Sequence, residues 1–199
     1  MKKIFTVILS LALILSLAGC KEIGIDGGEE HTFVVPPMTC GTLLGGTPEF
    51  VVETKYDSPW IGDNFVSMEV DADGNLVIVL NDRHIKHWKS EMLRKFDLAL
   101  TGTEKGGEGF TFKIDEDYRS ISYYTKRDVV LGSLMQIGII FPYCGIMQML
   151  NGEDISNWYV DIKVIDIDTG IVVKESRLPQ DGSLNISYDE WDAAVGAAE

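Results

Sequence analysis

The side chains best placed for chemistry are His84, His87 and Glu91. They stand at i, i+3 and i+7, so a helix would set them along one side, where an arc of two imidazoles and a carboxylate could hold a metal. The zincin spacing, two His four apart with Glu between them, is absent. The competing reading is a solvated polar flank beside the apolar positions Ile85 and Trp88. Two acidic runs, Asp71-Ala72-Asp73 and Asp166-Ile167-Asp168, raise the question of calcium. An EF-hand loop needs Gly at its sixth position and Glu at its twelfth. From Asp71 these are Leu76 and Asp82, and from Asp166 they are Ile171 and Arg177, so acidic hairpin turns account for both runs. Gly132-Ser133 does not extend to a Gly-x-Ser-x-Gly elbow, and Gly106-Gly107-x-Gly109 lacks the strand and helix that flank a phosphate loop. No catalytic residue, metal site or cofactor is assigned from these patterns.

The chain contains three cysteines. Cys40 lies in a loop-like stretch after Pro36-Pro37, and Cys144 in a long apolar segment. In an oxidising compartment they could pair, provided their Cα atoms approach within about 7 Å. The alternative for Cys144 is a buried free thiol. No basic neighbour in sequence activates it as a nucleophile.

Cys20 differs from both. It follows a positive start (Met1-Lys2-Lys3), an apolar stretch over residues 4–17 and the small residues Ala18-Gly19. Charge, apolar run and small residues make an export signal, and the run is short for a membrane span of about 20 residues. Leu17-Ala18-Gly19-Cys20 resembles the lipobox of bacterial lipoproteins. That resemblance implies a thioether-linked diacylglycerol on Cys20, cleavage just before it, and residues 1–19 as a lipoprotein signal peptide. It further implies a protein held on the cell membrane by the Cys20 lipid and facing outward, or on the periplasmic face where an outer membrane exists.

Charge supports a stand-off arrangement. The chain carries 17 basic and 31 acidic residues, a net charge of −14, and removal of the signal takes Lys2 and Lys3 with it. An acidic body excludes nucleic acid as a partner, because phosphate binding needs a basic face. It is also repelled by an anionic membrane surface. Residues 20–31, rich in Gly and Glu and without periodicity, read as a flexible acidic tether in which His31 is merely solvated.

Residues 32–199 read as one α+β domain: a mainly antiparallel sheet built from three hairpins, with helices packed on one face. Alternation over Val66, Met68 and Val70, an acidic turn, and the apolar run 76–80 predict the first hairpin. Asn81-Asp82 then caps a helix with Ile85, Trp88, Met92 and Phe96 on one face. Phe110, Phe112 and Ile114, the turn 115–117 and the run 121–125 predict the second hairpin. Thr125-x-x-Asp128 has capping-box spacing before the segment 129–150. Trp158 to Val164, the turn 166–170 and the run 171–174 predict the third. Ser187-x-x-Glu190 is a capping box for a last short helix. Residues 32–62 are broken by Pro and Gly into loops, with 50–52 as a candidate strand.

The 22 residues 129–150 carry no charge, so a membrane span and a buried helix compete. Pro142, Gln136 and Gln148 favour burial within the protein. The lipobox, the Val70-Asp71-Ala72-Asp73-Gly74-Asn75 turn, the Trp-bearing helix, Leu150-Asn151-Gly152 and Asp168-Thr169-Gly170 together resemble lipoproteins of Gram-positive bacteria with no assigned reaction. The resemblance spans most of Phe65 to Lys174. The functional expectation is a non-enzymatic binding or structural envelope protein with an envelope protein as partner, for which Trp60, Trp158 and Tyr159 are candidate contacts. The alternative is an envelope metal binder or enzyme using the His84/His87/Glu91 face.

Overall fold

The computed structural model describes residues 27–106 and 109–197. The signal, Cys20 and most of the expected tether lie outside the described residues.

The three expected hairpins all form, and the α+β class holds. They are distributed over two sheets rather than one. β1 (Glu30–Val35), β2 (Ser67–Val70) and β3 (Leu76–Asn81) make a three-stranded antiparallel sheet in the order β1-β3-β2. β4 (Phe110–Ile114), β5 (Ser120–Thr125), β6 (Val160–Asp166) and β7 (Val172–Leu178) make the second, in that order. Its β5–β6 pair is parallel, because a long helix carries the chain between them and returns it to the same end. The first hairpin joins a separate sheet because β1 takes the open side of β3. The first residues of that strand, Glu30 and His31, belong to the stretch expected to be tether, and the ladder with β3 makes them strand instead.

β3 shows why register is firm here. Leu76, Ile78 and Leu80 are fully buried, while Val77 and Val79 face the half-exposed side. A one-residue slip would invert that pattern.

Five α-helices occur among the described residues. α1 (Pro37–Leu44) and α2 (Pro48–Thr54) each begin with Pro in the first turn, whose fixed φ suits that place. Thr47 Oγ1 accepts a hydrogen bond from Phe50 N, so residues 50–52 are helical and not the strand expected of them. α3 (Asp82–Gly106) starts as anticipated, with Asn81 Oδ1 accepting from His84 N at 3.0 Å. α4 (Val130–Leu150) lacks a side-chain cap, so the Thr125/Asp128 spacing is not used. α5 (Tyr188–Gly196) carries the full Ser187/Glu190 capping box.

α4 is buried along its C-terminal half and on one side of its N-terminal half, where Met135, Gly138 and Ile139 stay exposed. Ile137, Ile140, Cys144, Ile146, Met147 and Leu150 are buried, and α4 packs against α1, α3, β5 and β6. No helix among the described residues is long and apolar enough to cross a membrane. The helix runs through Pro142 without interruption. The donor that proline lacks would have met the carbonyl of Gly138, which sits on the exposed side where water can replace it.

Two residues lock α4 in place. Gln148 is buried, and its Nε2 donates to Tyr118 O at 2.7 Å and Tyr159 O at 2.9 Å. It thereby ties the helix to the β4–β5 turn and to the start of β6. Gly145 meets α1 and the Trp158 ring so closely that an added Cβ would fall 2.5 Å from Leu43 Cδ2 and 2.6 Å from Trp158 Cε3. The indole is rigid and buried, stacked on Phe141 at 5.8 Å, and cannot step aside cheaply. Gly145→Ala should therefore lower stability by about 1–3 kcal/mol, read as a fall in urea midpoint with the far-ultraviolet spectrum retained.

Candidate functional site

The surface around the start of α3 gathers His31, Asp82, His84 and His87. Asp82 opens the helix, and its carboxylate is engaged from two sides. Oδ1 pairs with His31 Nε2 at 2.9 Å, and Oδ2 accepts from Glu29 N at 3.0 Å. Asp82 N in turn donates to Glu29 O, and Arg83 N to Gly27 O. These bonds clasp the start of β1 to the helix N-terminus. His31, anticipated as a solvated linker residue, is part of the clasp.

Gly28 is required by this geometry. Its φ is +79°, and a Cβ there would stand 2.3 Å from Asp82 Oδ2. The hydrogen bond from His31 and then that from Glu29 hold the Asp82 carboxyl below the ordinary carboxylate range.

His84, His87 and Glu91 do occupy one flank of α3, but Glu91 is already engaged there. Glu91 pairs with Arg94 at 2.8 Å, and that hydrogen bond holds its carboxyl below the usual range. Burial, then Arg83 and His87, push His84 below the ordinary imidazole value. His87 Nε2 is buried without a hydrogen-bond partner among the described residues. No group of three His, Cys, Asp or Glu among the described residues is placed to hold a metal ion.

The acidic turns are internally satisfied. Asp71 Oδ1 accepts from Asp73 N and Asn75 N at 2.9 and 2.8 Å, and Oδ2 from Asn75 Nδ2 at 3.0 Å. Asp166 accepts from Asp168 N at 3.1 Å and from Thr169 Oγ1 at 2.8 Å. Both are side-chain-to-backbone turns of the kind Asp favours.

Cys40 and Cys144 stand as separate free thiols, each fully buried. Burial pushes Cys40 up to about 11, with help from Glu49, and Cys144 up to about 12. Neither supplies a thiolate near neutral pH.

The candidate contact aromatics divide. Trp158 is buried, and Trp60 packs edge-on against Trp88 at 4.9 Å. Trp88 itself donates Nε1–H to Asn64 O at 2.8 Å. Tyr159 lies against two guanidinium groups, with Arg177 at 4.1 Å and Arg119 at 4.8 Å from the ring centroid. Arg177 is bidentate to Asp161 at 2.7 and 2.8 Å, and Arg119 pairs with Glu153. A polar groove of about 570 Å³ lies beside Arg177, with Ser120, Lys163 and Asp181 on its walls.

Sequence reasoning missed this Arg-Tyr-Arg cluster. The Asp161/Arg177 pair follows from the β6–β7 register, which a bulge at Val164/Ile165 offsets from a simple count around the turn. Arg119 and Glu153 come together only through tertiary packing. Comparison of the chain with family models, curated proteins and solved structures finds no match.

Two outcomes follow. Native protein should leave Cys40 and Cys144 unlabelled by a thiol reagent at pH 8 that labels both after unfolding, with no reduction-sensitive mobility shift. The clasp should be acid-labile. Because folding lowers the Asp82 pKa, its stabilisation is present above the unfolded value and is lost as pH falls through the folded one. Asp82→Asn should therefore destabilise the protein at pH 7 and make progressively less difference as pH falls through and below the ordinary carboxylate range, checked by urea midpoints from neutral to acid pH.

Proposed function

We propose that this chain is a lipid-anchored extracytoplasmic domain that works by binding another envelope protein or by occupying the envelope surface, without a reaction of its own. The observation that carries the reading is Leu17-Ala18-Gly19-Cys20 behind a charged start and a short apolar run. Each buried methylene contributes about 0.8 kcal/mol, and one acyl chain alone binds only marginally. Two or more chains on Cys20 would make attachment effectively permanent.

The rest of the chain suits such an anchor. From Cys20 to Glu30 the chain can span at most about 35 Å when fully extended. The acidic net charge favours standing off an anionic surface. The clasp at Asp82 marks where any pull through the anchor enters the folded domain. The metal-binding alternative is weakened by the commitment of Glu91 to Arg94.

Cys20→Ala should abolish lipid addition and leave the precursor uncut or the protein released. Fractionation after a high-salt wash checks this, and full retention of the variant in the membrane fraction would refute the anchor.

A further inference from the structure

The main-chain edge of β1 points to a strand-addition site. Asp82 N donates to Glu29 O, and the β1–β3 register continues from that pair without a shift. In an antiparallel ladder, hydrogen-bonded and non-hydrogen-bonded pairs alternate. His31, Phe33 and Val35 therefore bond β3, while Glu30, Thr32 and Val34 turn their N–H and C=O groups to the open side. Val79 O accepts from Val66 N on the opposite flank of β3, which is the same alternation seen from β2. Among the described residues, no hydrogen bond reaches these main-chain groups of Glu30, Thr32 and Val34.

Two other edges are occupied at one residue each. On β2, Met68 O accepts from Lys55 Nζ at 3.2 Å. On β7, Asp181 occupies the edge at Arg177, its carboxylate accepting from Arg177 N and its own N–H donating to Arg177 O. An uncovered edge is a template for another strand.

Beside the β1 edge, against which the turn Ile155–Asn157 also packs, lies a groove of about 320 Å³. Phe33, Met149 and Ile155 line it with apolar side chains, and Glu153 and Asp154 line it with carboxylates. Glu30, exposed, precedes the lining residues His31 to Val34 on the same strand. Glu153 is paired with Arg119, whereas Asp154 is exposed and caps only its own turn through Ser156 N.

We propose that the β1 edge binds an extended polypeptide segment of another protein as a fourth strand, with small apolar side chains against the apolar lining and Lys or Arg side chains toward Glu30 and Asp154. Main-chain bonds would supply affinity and the alternating side chains selectivity. Charge decides the occupant. A second copy of this chain would bring another −14 body and another Glu30 to the same edge, whereas a basic segment is complementary. The proposal deepens the binding reading above and rests on it for its setting, but not on the lipid.

The probe is a capped heptapeptide of alternating Lys and Val, titrated into the full chain in mild detergent and followed by calorimetry and by backbone amide shifts. Expected is saturable binding that perturbs Glu30, Thr32 and Val34. It should weaken by about tenfold or more when alternate peptide amides are N-methylated, when Glu replaces Lys, or when NaCl is raised. Thr32→Pro, which removes an outward N–H and no native bond, should do the same. The N-methylated peptide examines the same bonds on unaltered protein, so the test survives a Thr32→Pro chain that does not fold. Absence of saturable binding, equal binding of the N-methylated peptide, or shifts confined to another surface would overturn the proposal. So would a dimer that Thr32→Pro dissociates, which would make the occupant a second copy. Binding is read on Cys20→Ala as well, so failure of the anchor and failure of the edge site are separately visible.

Discussion

The fold depends on the burial of one uncharged helix. α4 is apolar around most of its circumference, and such a helix is stable in water only when other elements cover it on several sides. α1, α3 and the inner face of the second sheet provide that cover, with Trp158 closing the side where Gly145 gives room. The consequence reaches beyond packing. Because α4 is the crossover between β5 and β6, its position makes those strands parallel and brings the third hairpin beside the second. Because α3 also packs on α4, the first sheet is held to the second through that helix pair.

Polar groups refine what apolar burial makes stable. Gln148 is one of few buried polar side chains, and it satisfies two carbonyls that the ends of β-structure leave over. One belongs to Tyr118, a non-glycine residue at φ 61° in the β4–β5 turn. A left-handed tyrosine persists only where its surroundings fix it. Stacking on Phe96 at 6.1 Å and the bond to Gln148 both do so. The same turn then delivers Arg119 to Tyr159 and Glu153, so the cluster at that end of the sheet is a downstream effect of how α4 is seated.

The electrostatics are those of an acidic protein in which Arg94, Arg119, Arg127 and Arg177 are each paired with a carboxylate. Most of these pairs are exposed and contribute little stability individually. Their effect is on what the surface presents. Guanidinium groups already engaged leave the unpaired carboxylates to set the sign of the field, and a basic partner is favoured over an acidic one.

Elements with a local physical signature were readable from residue order alone. The three hairpins follow from alternation and acidic turns, the α5 start from Ser187 and Glu190, and the α3 start from Asn81. The burial of 129–150 was arguable from Pro142, Gln136 and Gln148, because polar and helix-breaking groups are costly in lipid. The lipobox is likewise a matter of adjacent residues, although it lies outside the described part of the fold. Thr47-Pro48 carried a helix signal that the β-branched pair Val51-Val52 masked. What needed the tertiary structure is whatever depends on separation in sequence. Whether β3 is flanked by β1, whether His31 meets Asp82, and whether Arg119 meets Glu153 are questions about residues 34 to 51 positions apart. Local periodicity carries no information about such pairings, because they are chosen by which faces remain to be covered once α4 is buried. The same reason explains why the open edge of β1 was invisible beforehand: a strand has an edge only after its neighbours have been chosen.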